Sequence, residues 1–78
     1  MSKRDNQLLI FDMLDAAYRI QTYTEGLDFN GFINDQKTLD AVVRNFEIIG
    51  EASARIHPDF QIEHSGIPWK HLRGYRNR

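Results

Sequence analysis

The 78 residues of this sequence are 41% hydrophobic and 27% charged and include no cysteine, which suits one small domain near the lower size limit for a stable core. This composition excludes disulfides and thiolate metal sites. With no long apolar run and no signal-like N-terminus, it predicts a cytoplasmic protein without a membrane span. Eleven acidic residues and six Lys or Arg lie in residues 1–63, whereas residues 64–78 hold four Lys or Arg and no acid. The basic end fits either an anionic partner or the cationic end of a helix dipole, and composition alone favours the dipole.

One amphipathic helix is predicted from about Asp5 to Glu25, because apolar residues recur there every three to four positions. Asp15 and Arg19 have the i,i+4 spacing of an ion pair, and Gly26 is suited to end the helix. The residues expected to face the core are Ile10, Phe11, Leu14, Ala17 and Tyr18, and those on the opposite side are Asp12, Asp15, Arg19 and Thr22.

A loop or short helical turn is predicted for residues 27–34, which are rich in the turn formers Asp, Asn and Gly. Three apolar residues inside this segment are expected to attach it to the core. They are Phe29, Phe32 and Ile33.

A second long helix is predicted from about Asp35 to Ile56, with Asn34 or Asp35 as its N-cap. His57 and Pro58 end it, because the residue before a proline disfavours the helical conformation. Gly50 lies inside this helix, where glycine costs stability relative to alanine. Either another backbone packs closely there or the glycine is a neutral accident, and close packing is favoured. The expected core residues are Leu39, Val42, Val43, Phe46, Ile49 and Ile56.

Residues 59–66 are predicted to form a connector, and a third helix is predicted to begin at Pro68, a good first-turn residue. Trp69 is expected to anchor this helix in the core. The whole chain therefore predicts an all-α bundle with about three main helices, in a single domain covering residues 1–78.

Two groups of polar residues were candidates for chemistry. His57, His64 and His71 recur every seven residues, but a proline and a loop separate them, so solvated histidines are favoured over metal ligands. Glu47 and Glu51 share a helix face with arginines, and the acid-first i,i+4 pairs Asp40–Arg44 and Glu51–Arg55 favour a salt-bridged surface over a catalytic carboxylate pair.

Three separated blocks of the sequence resemble one known family. They are residues 44–52 (RNFEIIGEA), residues 67–69 (IPW) and residues 73–78 (RGYRNR). In this order and spacing they are similar to the HepT-like family of HEPN domains, the toxin halves of two-gene systems whose antitoxin is a minimal nucleotidyltransferase. The resemblance covers essentially the whole chain. It implies an up-down helical bundle that pairs with a second copy, and a metal-independent RNA endonuclease that needs no cofactor.

The resemblance also implies roles for residues near the end of the sequence. The family's signature is an Arg, four further residues, a His, one residue and a Tyr. Arg76 matches the catalytic Arg and Asn77 the polar residue after it, and Lys70, Arg73 and Arg78 are the expected contacts to the RNA backbone.

The signature His and Tyr would fall beyond Arg78, so the resemblance implies a sequence that lacks the C-terminal part of the HEPN domain. His71 precedes Arg76 by five residues, on another side of a helix, and is not expected to replace the motif His. Tyr75 is expected to pack rather than to accept AMP from the antitoxin. Two functions remain open: a HepT-like nuclease inactive as this polypeptide, or a non-catalytic HEPN remnant that only dimerises or binds the antitoxin.

Overall fold

The computed structural model describes residues 3–76, with side chains from residue 5 onward; the expected site residues Asn77 and Arg78 lie outside this range. Within it the all-α prediction is confirmed. The elements are α1 (Lys3–Thr24), α2 (Phe29–Ile33), α3 (Gln36–Arg55), α4 (Pro58–Glu63), α5 (Trp69–Arg73) and a 3₁₀ helix (Gly74–Arg76). No helix among these residues is both long and apolar enough to cross a lipid bilayer.

The two long helices, α1 and α3, pack side by side and run antiparallel. Leu9 near the start of α1 belongs to one buried cluster with Ala52 and Ile56 at the end of α3. The backbone N–H of His57 donates to Asn6 Oδ1 at 3.1 Å, which fastens the end of this hairpin. The long-range bond also satisfies a side chain that is buried in the interface, which would otherwise cost stability.

The face of α1 that meets α3 differs from the predicted one. Asn6, Leu9 and Ala16 are buried at spacings of three and seven, whereas Phe11 and Leu14 are each 65% exposed. The predicted core residues Ala17 and Tyr18 are also exposed. Helix α1 carries apolar residues on two sides. Ala16, only 1% exposed, has the small side chain that lets two long helices approach closely.

Short polar contacts set the boundaries of the loop region and of α2. Gly26 ends α1 with a φ of 78°, as predicted for a residue that must enter the left-handed region. The Gly31 N–H donates to Asp28 Oδ1 at 2.7 Å and caps α2. The prediction that Phe29 attaches to the core is wrong, because its side chain is 73% exposed. Ile33 is also exposed, and Phe32 is half-buried.

Helix α3 begins at the predicted cap. Thr38 donates to the Asp35 carboxylate through its backbone N–H at 3.2 Å and through its hydroxyl at 2.8 Å. Val42 and Ile49 are buried on its inner face and Ile56 is buried just after its end. The remaining predicted core residues of this helix are half-buried (Leu39, Val43 and Phe46).

The two ion pairs predicted on α3 are not formed among the described residues. Asp40 instead accepts a hydrogen bond from Gln36 Nε2 at 2.7 Å. By contrast, the pair predicted on α1 is present, with Arg19 Nε 2.9 Å from Asp15 Oδ2.

A short helix, α4, occupies much of the segment that was predicted to be a connector. Pro58 ends α3 and also supplies the first turn of α4, since its fixed φ suits that position. His57 Nδ1 accepts a hydrogen bond from Asp59 N–H at 3.1 Å and so caps the new helix.

Trp69 anchors α5 in the core, as predicted. It is 8% exposed and belongs to the buried cluster with Leu9, Ala52 and Ile56. Its indole Nε1 donates to the His64 carbonyl at 3.0 Å, so the polar end of the ring is also satisfied. The third predicted helix is therefore present, although α5 is short and continues as the 3₁₀ helix.

Candidate functional site

The 3₁₀ helix, which ends at Arg76, lies directly on the backbone of α3. The contact point is Gly50, which is buried in the middle of that helix. A Cβ atom at position 50 would lie 2.5 Å from the Arg76 backbone nitrogen, 3.0 Å from the Tyr75 carbonyl carbon and 3.1 Å from Arg76 Cβ. The close-packing explanation for Gly50 is therefore confirmed.

Tyr75 fixes the other side of this terminal segment. Its ring lies 5.0 Å, centroid to centroid, from the ring of Phe46 on α3. The His71 ring meets it edge-on at 5.4 Å. Tyr75 is half-buried by these contacts, which is the packing role predicted for it.

Arg76 borders a cavity of about 330 Å³ between α1 and α3. Arg44 and Arg55 of α3 border the same cavity, so three arginine residues line one space. Three acidic residues also border it, and the complete lining is Leu9, Asp12, Arg44, Glu47, Ile48, Glu51, Ala52, Arg55 and Arg76.

The three cavity arginines differ from Arg19 and Arg73 in their hydrogen bonds. Arg19 is held by Asp15, whose hydrogen bond raises the pKa of Arg19 above its ordinary range, with a smaller effect from Tyr23. Arg73 Nη1 donates to Gln61 Oε1 at 3.1 Å. Among the described residues, Arg44, Arg55 and Arg76 form no hydrogen bond or ion pair, so their donors are available to a ligand. Planar guanidinium groups suit phosphate oxygens in particular, which they bind through two parallel hydrogen bonds.

The predicted RNA contacts Lys70 and Arg73 do not join Arg76 in this cavity. Lys70 is exposed and borders a separate shallow groove of about 730 Å³, together with Trp69, His71 and Tyr75. Arg73 is half-buried and bonded to α4.

The sequence prediction missed Arg44 and Arg55 as candidate site residues. The spacing favoured a salt-bridged surface for both, because an acid stands four residues before each of them, Asp40 before Arg44 and Glu51 before Arg55. A usable signal was present: Arg44, Glu51 and Arg55 are separated by seven and four residues, so they share one helix face. Gly50 lies beside that face, and a glycine inside a helix indicates that another backbone can pack closely there.

The three histidines occupy separate places. His57 caps α4, the His64 ring lies 4.2 Å from the Phe60 ring, and His71 contacts Tyr75. Within residues 3–76 no group of three His, Cys, Asp or Glu is arranged to hold a metal ion. His71 borders the shallow groove beside Lys70 and does not border the cavity lined by Arg76.

Comparison with known proteins identifies one family. Residues 13–78 match the family described as "Ribonuclease HepT-like". A Methanocaldococcus jannaschii protein named as a putative RNase is 43% identical over 77 residues, covering 99% of this chain and 71% of that protein. A second from the same organism is 33% identical over 78 residues, covering the whole chain and 64% of that protein. The "Probable ribonuclease HepT" of Thermococcus cleftensis is 38% identical over 76 residues, covering 97% of this chain and 69% of that protein. This chain thus spans about two thirds of the length of these relatives, and no solved structure matches it.

Proposed function

Because the chain belongs to the HepT-like ribonuclease family, we propose that it binds RNA at the cavity between α1 and α3, with Arg76 as the residue that grips the scissile phosphate. The observation that carries this proposal is that three arginines, Arg44, Arg55 and Arg76, line one cavity and form no hydrogen bond or ion pair with another described residue.

The chemistry assigned to Arg76 follows from the family's reaction. RNA cleavage of this kind uses the ribose 2′-hydroxyl as the nucleophile on the adjacent phosphorus. The phosphate gains negative charge in the transition state, and a guanidinium that binds two of its oxygens stabilises that charge. Proton transfer needs a second group of near-neutral pKa, which contributes about 10²–10⁴-fold in rate. The family's His for that step is not among residues 1–78, so we expect this polypeptide to bind RNA without cleaving it.

Arg44 and Arg55 extend the proposed site beyond one phosphate. They lie along α3 on either side of Glu51, so phosphates on successive nucleotides can meet successive arginines. The cavity's three acidic residues offset this positive charge, and we therefore expect modest affinity that depends strongly on salt. Lys70 and Arg73, outside this cavity, remain proposed contacts to the RNA backbone. Arg78 remains a further proposed backbone contact and Asn77 a proposed catalytic helper to Arg76, and both lie outside the described residues.

The test is RNA binding by the 78-residue chain, followed by the fluorescence anisotropy of a labelled oligouridylate of about 16 nucleotides. Arg76→Ala, Arg44→Ala and Arg55→Ala should each weaken binding and lower the salt slope by about 0.7, as expected for the loss of one phosphate contact on a single strand. The control is Lys37→Ala, which removes the same charge from the first turn of α3, away from the cavity. Equal losses from Lys37→Ala and Arg76→Ala, or no loss from Arg76→Ala, would reject the cavity as the site.

We also propose that the chain acts as the toxin component of a toxin–antitoxin pair, with a nucleotidyltransferase antitoxin as partner. The family resemblance supports this partner. The family's AMP-accepting Tyr is not among residues 1–78, and Tyr75 is held between Phe46 and His71, so we expect complex formation without AMP transfer. Gel filtration of the two proteins together, with radiolabelled ATP in a parallel reaction, separates binding from transfer. A chain that binds the antitoxin but no RNA would instead be the non-catalytic HEPN module.

A further inference from the structure

Gly50 is the residue that determines where Arg76 lies. We propose that Gly50 is a positioning residue for the RNA site, acting through Arg76 and making no contact with RNA itself. This inference rests on the proposed function of Arg76, and it adds a residue that carries no charge and no side chain.

The geometry leaves room for no other residue type at position 50. The nearest atoms to a Cβ built there all belong to the segment that carries Arg76, and two of the three are backbone atoms of Tyr75 and Arg76. Real Cβ atoms essentially never lie as close as 2.5 Å to a backbone nitrogen, so one of the two backbones would have to move. A flexible side chain would give way at little cost, but a backbone does not.

The part that moves would be the 3₁₀ helix rather than α3. Helix α3 is packed against α1 along its length, and both long helices meet in the buried cluster. Gly74–Arg76 is a short segment held on α3 by the Phe46–Tyr75 ring contact. Alanine at position 50 also has a better helix propensity than glycine, which offsets part of the cost within α3. The expected result of Gly50→Ala is therefore a folded bundle in which Arg76 is displaced from the cavity.

Displacement of Arg76 would change which arginines line the cavity. Arg44 and Arg55 lie on α3 itself and would stay in place, whereas Arg76 reaches the same cavity only from the packed segment. A shift of the Arg76 backbone would leave two of the three guanidinium groups where they are. Gly50→Ala should thus reproduce the loss caused by Arg76→Ala and no more.

A double-mutant cycle tests this directly, using the labelled oligouridylate as probe. We expect Gly50→Ala and Arg76→Ala each to weaken binding about tenfold, the amount expected for one lost charge-assisted hydrogen bond. The double variant should bind no more weakly than either single variant, because both remove the same contact. The matched control is Gly74→Ala, since a Cβ at that position has no atom within 4 Å and its φ of −64° is open to alanine.

Two further measurements separate positioning from general support of the fold. Circular dichroism should give Gly50→Ala the helicity of the wild type, and the nuclear Overhauser contacts between Phe46 and Tyr75 should weaken. Phe46→Ala, which removes the ring under Tyr75 without adding a Cβ, should also weaken RNA binding and be non-additive with Arg76→Ala.

The outcomes distinguish the proposed RNA site at Arg76 from the positioning role of Gly50. If Arg76→Ala leaves binding unchanged, the proposed RNA site fails and the role of Gly50 fails with it. If Arg76→Ala weakens binding but Gly50→Ala does not, or if their effects simply add, the positioning role alone is rejected. Loss of helicity in Gly50→Ala would likewise reject it, because Gly50 would then support the whole bundle.

Discussion

At the scale of the residue, the start of α3 depends on one carboxylate. Asp35 accepts two hydrogen bonds from Thr38, one from the hydroxyl and one from the backbone N–H. These bonds, the hydroxyl bond first, hold the pKa of the Asp35 carboxyl below its ordinary range. The charged form is therefore favoured in the folded state, and folding is linked to its ionisation.

Replacing this cap should destabilise the chain in a way that depends on pH. Because the pKa of Asp35 is lowered on folding, its contribution is fully present above the unfolded pKa and is lost as pH falls through the folded pKa. Asp35→Ala should lower Tm at about pH 7, and the difference from wild type should shrink as the pH falls below the ordinary Asp pKa of about 3.9. Thermal melts of both proteins, followed by circular dichroism at neutral and at acidic pH, measure this difference in Tm. Asp40→Ala is the control, since that carboxylate bonds only the Gln36 side chain among the described residues, and a similar loss there would contradict the capping role.

At the scale of the element, the sequence predicted the long helices well and the face of α1 badly. The end of α1 and the start of α3 depend on interactions within a few residues, so Gly26 and Asp35 could be identified from the sequence. The choice of face is not local, because α1 carries apolar side chains on two sides and α3 selects one of them. Ala16 is buried and Phe11 exposed although side-chain size alone favours the reverse. The partner helix, rather than the apolar pattern, decides which side is covered.

The same reasoning explains what was missed near α4 and in the candidate site. Pro58 was interpreted only as the end of α3, although a proline also suits a first helical turn. Arg44 and Arg55 were assigned to ion pairs from their spacing alone. Spacing gives proximity on a helix, but the approach of the segment at Arg76 comes from tertiary packing that i,i+4 rules do not contain.

The attachment of α5 should depend on Trp69. Trp69→Ala should destabilise the chain by about 3–5 kcal/mol, because it removes a buried ring from the core cluster and leaves a cavity. Trp69→Phe should cost less, since it keeps most of the buried surface but loses the hydrogen bond to the His64 carbonyl. Urea denaturation provides the measurement. The neighbouring Ile67→Ala is the control at an exposed position, and an equal loss there would contradict the anchoring role.

At the scale of the whole molecule, the chain is an all-α HEPN-like bundle of the HepT-like ribonuclease family with an uncovered apolar surface on α1. This outer face of α1 is formed by side chains between 56% and 67% exposed, namely Leu8, Phe11, Leu14 and Tyr18. They recur every three to four residues along the helix, so they form one continuous stripe. Such a stripe favours association in water.

We expect the chain to form a homodimer through the outer face of α1, in keeping with the pairing implied by the family resemblance. Tm should then rise with protein concentration, because association stabilises the folded state. Leu14→Lys should shift the sedimentation coefficient to that of a monomer without changing helicity, whereas Ser65→Lys in the exposed loop before α5 should change neither. A Tm independent of concentration, with a wild type that sediments as a monomer, would contradict this expectation.

The contact at Gly50 also bears on how the chain's important residues would be discovered by mutagenesis. A survey that replaces charged side chains one at a time reports on Arg44, Arg55 and Arg76 and passes over position 50, where there is no side chain to remove. The position of Arg76 depends on the absence of a Cβ atom at residue 50, and Gly50→Ala adds only that one methyl group. A screen of this protein should therefore include glycine substitutions alongside the arginines.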